Sequence, residues 1–147
     1  MKKIIMALAF IAFTIGNAAI AGEKEIDKRI RQSFEKEFAG AIDVKWYTHD
    51  EYTQVDFSFN GVQLMVYYNN NGETLALVRN IGFSSLPLLL QFDLKRNYKD
   101  YWITQIRELT NRGGTHYYLI LENADKTIKL RSFGSNEWDL MGKEAKK

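Results

Sequence analysis

The sequence contains no cysteine and a single proline among 147 residues. Without cysteine there is no disulfide, no thiol nucleophile and no zinc–thiolate site, so a hydrophobic core has to hold the fold together. The chain also lacks the G-x-S-x-G and Ser-x-x-Lys patterns of serine nucleophiles and a glycine-rich phosphate loop after a strand. These absences exclude the common signatures of thiol, serine-hydrolase and nucleotide chemistry.

The excess of positive charge is confined to the N-terminus. The whole chain has 20 Lys and Arg residues against 18 Asp and Glu. Lys2 and Lys3 account for the difference, so residues 22–147 carry 18 charges of each sign and have a formal net charge of zero. Because the remaining charges are interleaved rather than clustered, we expect no nucleic-acid partner.

The first 21 residues have the pattern of a secretory signal peptide. Lys2 and Lys3 form its basic segment, residues 4–15 its apolar segment and residues 19–21 an Ala-Ile-Ala cleavage site. The apolar run is shorter than the ~20 residues that a membrane span requires. We therefore expect cleavage before Gly22, no membrane anchor, and a mature chain that is periplasmic or secreted, since no cysteine follows for lipid attachment.

Two apolar stripes at four-residue spacing lie sixty positions apart, and strand-like alternation follows each. This pattern predicts an α+β fold made by tandem duplication of a helix followed by a four-stranded antiparallel meander. The repeats are expected at about residues 24–81 and 84–142 of a single domain, 22–147, with both helices on one face of a sheet of about eight strands. The stripes are Ile26, Ile30, Phe34 and Phe38, then Leu86, Leu90, Leu94 and Tyr98.

The ends of the helices are also predicted from local signals. The first helix is expected over residues 24–38, and the second is expected to be capped by Ser84 or Ser85, to place Pro87 in its first turn and to end near Tyr98. The Asn-Gly pair at residues 60–61 predicts a two-residue hairpin turn.

The two halves are aligned on their apolar strand positions. Tyr117, Leu119 and Leu121 are matched to Val55, Phe57 and Phe59, and Ile128 and Leu130 are matched to Leu64 and Val66. Trp46, Trp102 and Trp138 fall on inward positions in this scheme, so we expect all three indoles in the core.

Alternation leaves one sheet face, opposite the helices and named the reverse face below, open to water or to a partner. Tyrosine, methionine and arginine among neutral polar residues are enriched in contact surfaces. The same side chains also suit cross-strand pairs that stabilise a solvated sheet. The candidate binding residues are Tyr47, Gln54, Asp56, Gln63, Met65, Tyr67, His116, Tyr118, Lys129 and Arg131, with Ser58 and Ile120 on the same face.

The sequence resembles the PepSY-like family of exported proteins from Bacteroidetes, whose fold is similar to that of the β-lactamase inhibitor protein. The resemblance covers most of the mature chain, and it implies a non-enzymatic α+β domain that acts through a sheet face. No inhibitory contact residue carries over, because no motif matches one residue by residue. The segments that carry the resemblance are Phe34–Ala41, Val44–Trp46, Tyr52–Gly61, Val66–Gly72 and the second start at Leu86-Pro87.

We therefore predict an exported, non-catalytic binding protein, inhibitor-like in fold, that engages an unknown protein or peptide of the cell envelope through the reverse face. The alternative is a periplasmic small-molecule or glycan-binding module that uses a cleft between the repeats. No cofactor or metal is expected, since His49, Asp50 and Glu51 are adjacent in a turn and diverge. An enzyme is disfavoured because no convergent acid, base or nucleophile set is visible.

Overall fold

The computed structural model describes residues 25–134 and 136–147. The predicted signal peptide, residues 1–21, lies outside these described residues. Two α-helices and eight strands form an α+β structure, and the antiparallel sheet has the strands in chain order. No helix within the described ranges is long and apolar enough to cross a membrane.

The elements follow one another in the predicted order. The helices are α1 (Lys28–Glu37) and α2 (Leu88–Asn97), with a 3₁₀ turn at Phe83–Ser85. The strands are β1 (Ile42–Thr48), β2 (Tyr52–Phe59), β3 (Val62–Asn69), β4 (Thr74–Asn80), β5 (Trp102–Asn111), β6 (Gly114–Glu122), β7 (Lys126–Ser132) and β8 (Asp139–Ala145).

The chain divides into two compact units, the first ending at Arg79 and the second beginning at Asn80. The first unit holds α1 and the meander β1 to β4, and the second holds α2 and the meander β5 to β8. The predicted order of one helix followed by four strands is therefore confirmed in both units. Its origin in a tandem duplication stays a prediction.

In the first unit, α1 packs its apolar stripe on β2 and β3. Ile30 and Phe34 belong to one buried cluster with Val55, Phe57 and Val66. The Phe34 ring meets the Phe57 ring edge-on, with centroids 4.9 Å apart. Each such fully buried apolar side chain contributes about 1.5–3 kcal/mol, and an edge-on aromatic pair adds about 0.5–1.5 kcal/mol.

In the second unit, α2 packs on β6 and β7 with leucines in place of most of the aromatic rings. Leu90 and Leu94 join a buried cluster with Leu119 and Leu130, and Trp138 closes it near β8. The indole Nε1–H of Trp138 donates a 3.1 Å hydrogen bond to the backbone carbonyl of Leu90. The inward position predicted for this indole is confirmed.

The helix starts differ from the predicted ones for local reasons. Asp27 is the N-cap of α1, and its carboxylate accepts a 2.8 Å hydrogen bond from the backbone N–H of Arg29, so the helix begins at Lys28 rather than at residue 24. Ser84 and Ser85 lie in the 3₁₀ turn, and Pro87 itself occupies the N-cap position of α2. The predicted serine cap is therefore wrong, and the preset φ of proline starts this helix instead.

The hairpin registers correct the predicted alignment of the two halves. The Asn60-Gly61 turn is confirmed, with φ of 51° and 78°. Val55 pairs with Val66 and Phe57 with Leu64, while Leu119 pairs with Leu130 and Leu121 with Ile128. Leu119 therefore takes the hairpin position of Val55, and Leu121 takes that of Phe57 rather than Phe59. The shift of two positions arises because Val55 is the fourth residue of β2, whereas Leu119 is the sixth residue of β6.

Candidate functional site on the reverse face

The strand registers place the first-unit candidates on the reverse face. Val55 and Phe57 point towards α1, so their neighbours Gln54 and Asp56 point the opposite way. Two cross-strand rows result, and they run through Tyr47, Gln54, Tyr67 and Ala76, and through Lys45, Asp56, Met65 and Val78. The face assignment made from alternation therefore agrees with the register in this unit.

The expected exposure of the two central tyrosines is wrong. Tyr67 is 1% exposed and Tyr118 is 3% exposed, and Ser58 and Ile120 are also buried. Tyr67 lies between Gln54 and Ala76 on the flanking strands, as Tyr118 lies between Arg107 and Arg131. Alternation assigns a side chain to a face, but it does not say how well neighbouring strands and other groups cover it.

The remaining candidates keep part of their surface accessible. Gln63 is exposed at the start of β3, next to the hairpin turn. The half-buried candidates are Tyr47, Gln54, Asp56, Met65, His116, Lys129 and Arg131. These residues, and not the tyrosine pair, are the part of the predicted set that can meet a partner.

In the first unit the polar candidates contact one another. The Gln54 amide donates a 2.6 Å hydrogen bond to the Asp56 carboxylate. Tyr52 and Tyr67 have ring centroids 6.0 Å apart. These pairs are the cross-strand and same-strand contacts that stabilise a sheet, which was the second interpretation of the sequence pattern.

In the second unit two predicted residues, His116 and Arg131, contact the ring of Phe133, which was not among the candidates. Phe133, directly after β7, is 48% exposed. The guanidinium carbon of Arg131 lies 4.5 Å from the centre of its ring, and the His116 ring meets it edge-on at 5.1 Å. An exposed aromatic ring held between a cation and an imidazole is fixed in place before any partner arrives.

Two buried polar atoms beside this ring have no hydrogen-bond partner in the described part of the chain. They are His116 Nδ1 and Arg131 Nε. Asn111 Oδ1 accepts from the Gly113 backbone N–H at 2.7 Å and lies 3.3 Å from His116 Nε2. Because that oxygen only accepts, Nε2 carries the ring proton, and Nδ1 is left as an acceptor.

The electrostatics keep this histidine neutral. Burial lowers the pKa of His116 below its ordinary value, so the imidazole is uncharged at neutral pH. Arg131 Nε carries a hydrogen and acts only as a donor. The Phe133 cluster, defined here as Phe133, His116 and Arg131, thus joins one exposed apolar ring to an acceptor and a donor that are both buried in the free protein.

The other candidates of this unit lie nearby on the sheet but have partners of their own. Lys129 Nζ lies 2.9 Å from the Glu144 carboxylate. Burial raises the pKa of the Tyr118 hydroxyl, and the charge of Arg131 opposes that shift. Neither side chain adds a free group to the Phe133 cluster, so the cluster itself is the centre of the candidate site.

One signal in the sequence points to Phe133. It lies two positions after Arg131 and therefore has the same parity as the candidates of β7, but the strand ends at Ser132 and Gly134 follows. The alternation pattern was applied only to residues within the strand. Extended by one residue, it places the Phe133 ring on the reverse face.

A second accessible apolar surface lies on α2. Leu88, Leu89 and Phe92 are 66%, 54% and 54% exposed. They fall outside the inward stripe of Leu86, Leu90 and Leu94. The four-residue spacing predicts only the buried stripe, so it does not identify these exposed side chains. His49, the other histidine, is exposed and stacks on Tyr52 with ring centroids 4.4 Å apart.

Comparisons with solved structures show the fold. The chain is similar to a BLIP-like protein from Bacteroides fragilis, with 19% identity, a TM-score of 0.67, and coverage of 84% of this chain and 89% of that one. It is also similar to a DUF2874 family protein from Bacteroides ovatus, with 14% identity, a TM-score of 0.71, and coverage of 84% of this chain and 89% of that one. A DUF2874 family protein from Bacteroides uniformis is 11% identical, with a TM-score of 0.70 and coverage of 80% of this chain and 88% of that one.

These likenesses support a BLIP-like fold, as the sequence resemblance implied. Membership of the PepSY-like family stays a prediction, because no protein-family model matches the sequence. No curated protein matches it either. At these identities the neighbours establish the architecture alone, and residue roles have to be argued from the side chains described above.

Proposed function

We propose that the protein is an exported, non-catalytic binding module that holds an extended segment of a partner protein or peptide at the Phe133 cluster. The observation that carries this proposal is the half-exposed Phe133 ring between Arg131 and His116. The BLIP-like fold supports a binding role in general terms. The export assignment rests on the N-terminal sequence pattern.

The chemistry of the cluster suits a peptide backbone. A peptide group presents one N–H donor and one C=O acceptor. Both atoms are covered in the free protein. A rotation of the two side chains would let His116 Nδ1 accept from the N–H and Arg131 Nε donate to the C=O, so both would gain the partner that they lack within the described residues. Leaving a buried polar atom unpaired costs about 1–3 kcal/mol, which favours the bound state.

The ring supplies the apolar part of the contact. Phe133 is held on two sides, so burying its free face against an apolar partner side chain orders little that is mobile. Aromatic and arginine residues in such a setting are the usual sites where alanine substitution weakens a protein interface by 2 kcal/mol or more. Lys129, the remaining half-buried candidate of β7, would lie at the polar rim of the contact.

The experiment is a quantitative capture of envelope proteins on the mature chain, residues 22–147. Three immobilised proteins are compared: the unaltered chain, Phe133→Ser and the matched control Phe92→Ser. Both replaced rings are exposed to a similar degree, but Phe92 lies on α2. We expect the unaltered chain and Phe92→Ser to capture at least one protein in similar amounts. The amount of that protein captured by Phe133→Ser should be at least about tenfold lower.

The opposite pattern would overturn the proposal. A partner that survives Phe133→Ser and is lost by Phe92→Ser would place the contact on α2. A captured partner is then tested as short synthetic peptides, with Arg131→Met and His116→Phe as variants that keep side-chain bulk and remove the donor or the acceptor. If neither variant weakens peptide binding, the backbone-recognition scheme fails even where Phe133 matters.

A further inference from the structure

The second unit contains a pocket that has no counterpart in the predicted site. Its volume is about 330 Å³, and it lies where the end of α2 meets the start of β5. Leu94 and Tyr98 line it from the helix side, Ile103 and Leu121 from the strands, and Phe83 from the 3₁₀ turn. Phe133, His116 and Arg131 do not line it, so this site is separate from the Phe133 cluster.

The pocket occupies the place where the first unit has three packed phenylalanine rings. Phe34, Phe38 and Phe57 lie with centroids 4.7–5.6 Å apart. Phe38 and Tyr98 are the C-caps of their helices, and the cap N–H bonds to Phe34 in one unit and to Leu94 in the other.

The hairpin registers extend this equivalence to the strands. Phe57 pairs with Leu64, and Leu121 pairs with Ile128, seven positions along the chain in both hairpins. The triad Phe34, Phe38 and Phe57 thus corresponds to Leu94, Tyr98 and Leu121. Two rings are replaced by the smaller leucine side chain, and the space is not filled by another residue. The resulting cleft is open to solvent, and its mainly apolar lining with a few polar groups makes it a candidate ligand site.

The charge at the pocket has one sign. Lys95 and Lys99 both line it, and no acidic residue does. Lys95 Nζ also lies 5.5 Å from the centre of the Phe83 ring at its wall. Nearby acids lie outside the lining. Asp93 accepts a hydrogen bond from Asn97, although burial and the charge of Asp93 together raise the pKa of the lining residue Tyr98, and Asp100 is exposed. The partial negative charge of the α2 carbonyl end attracts these cations but does not cancel both.

We propose that this pocket binds a small amphipathic anion. The anion is a carboxylate with an apolar tail, and it has about ten non-hydrogen atoms in all. The size follows from the volume, since 330 Å³ holds about eleven groups of ~30 Å³, the space of a water molecule in the liquid. The tail packs against Leu94, Leu121 and Ile103. The carboxylate pairs with Lys95 and Lys99 at the rim.

The test is a titration of the mature chain with sodium octanoate, followed by the NMR shifts of the leucine and isoleucine methyl groups. Two matched ligands are titrated in parallel: 1-octanol, which has no charge, and octyltrimethylammonium, which has the opposite charge. We expect octanoate to shift the Leu94, Ile103 and Leu121 methyls, octanol to bind more weakly, and the cation to leave them unchanged.

Two variants separate shape from charge. Leu121→Phe restores the ring that Phe57 supplies in the first unit, and it should abolish the octanoate shifts by filling the pocket. Lys95→Gln combined with Lys99→Gln should weaken octanoate about two- to tenfold, to the level of octanol, and leave octanol unchanged.

Several outcomes would overturn the proposal. They are saturating octanoate that moves none of the three methyls, a folded Leu121→Phe variant that binds as before, or equal binding of the anion and the cation. If Leu121→Phe fails to fold, the lysine variant decides alone: unchanged octanoate affinity in that variant rejects the anion site. None of these results bears on the Phe133 cluster.

Discussion

The hydroxyl of Tyr68 donates a 2.8 Å hydrogen bond to the carboxylate of Glu37. This contact ties the C-terminal end of β3 to the last residue of α1, and Thr74 Oγ1 reaches the same carboxylate at 3.1 Å. Burial and the neighbouring carboxylate raise the pKa of Tyr68 above its ordinary value, so the phenol stays a donor over the whole physiological range.

Tyr68→Phe is therefore expected to lower the free energy of unfolding by about 1–2 kcal/mol, because the ring stays packed while a hydrogen bond to a charged acceptor is lost. Urea denaturation measures the change. Tyr47→Phe is the matched control, since its hydroxyl makes no hydrogen bond within the described residues. A Tyr68→Phe variant as stable as the control would show that the Glu37 contact contributes nothing.

The burial of Tyr67 and Tyr118 makes a second prediction. Each should cost about 3 kcal/mol or more when replaced by alanine, because truncating a buried aromatic side chain leaves a cavity. Tyr47→Ala, at a half-buried position on β1, should cost less than half as much. Urea midpoints of the three single variants test this. If the alanine variants of Tyr67 and Tyr118 unfold at the same urea concentration as the unaltered chain, the two rings are accessible rather than buried.

The tryptophans provide a third prediction. Trp102 was expected in the core, but it is 52% exposed, and Lys146 Nζ lies 5.1 Å from the centre of its ring. Its strand partner is Glu122 on the reverse face, which explains the outward position. Trp102→Phe should change stability by less than about 0.5 kcal/mol.

Trp138→Phe, by contrast, removes the hydrogen bond to Leu90 and should cost about 1–3 kcal/mol. Thermal unfolding compares the two variants. Acrylamide should quench the fluorescence of a Trp138→Phe protein more strongly than that of a Trp102→Phe protein. The reverse order of quenching would contradict the burial described for these indoles.

His116 predicts a dependence of stability on pH. Burial lowers its pKa in the folded state, whereas the unfolded chain has the ordinary value of about 6.5. Its contribution to stability is therefore complete above about pH 6.5 and is lost as the pH falls from there towards the folded pKa. The melting temperature should fall less between pH 7.5 and 5.5 in His116→Gln than in the unaltered chain.

An NMR titration of the His116 ring protons checks the same prediction directly. A midpoint below about 6.5 is expected. A midpoint at or above about 6.5 would contradict the direction of the shift. A midpoint well above neutral pH would leave the imidazole charged when it faces Phe133, and the acceptor role proposed for Nδ1 would then fail.

Much of the architecture could be predicted because it depends on local periodicity. Ile30 and Phe34 lie on the buried stripe of α1, and Asn60-Gly61 makes the turn that its positive φ values require. The strand ladders then follow, since consecutive strands joined by short turns pair with each other.

The errors come from features that periodicity does not encode. The parity of Tyr67 and Tyr118 was right, but their coverage depends on what packs around them in three dimensions. The pocket at Leu121 could not be predicted, because the sequence alignment matched Leu121 to Phe59. The β6–β7 register matches it to Phe57, two residues earlier. Phe133 lies one residue past the end of its strand, so its direction follows only when the alternation of β7 is extended beyond Ser132.

The outermost strands of the sheet both contain an irregularity. In β1 the register shifts between Ile42 and Lys45, where Asp43 has φ of 55°. In β8 Leu140 pairs with Leu130 and Gly142 with Lys129, so Met141 is an extra residue. Such bulges interrupt the row of backbone donors and acceptors that an incoming polypeptide would need in order to extend the sheet. Side-by-side polymerisation is thereby discouraged, and recognition is left to side chains rather than to the main chain of an edge.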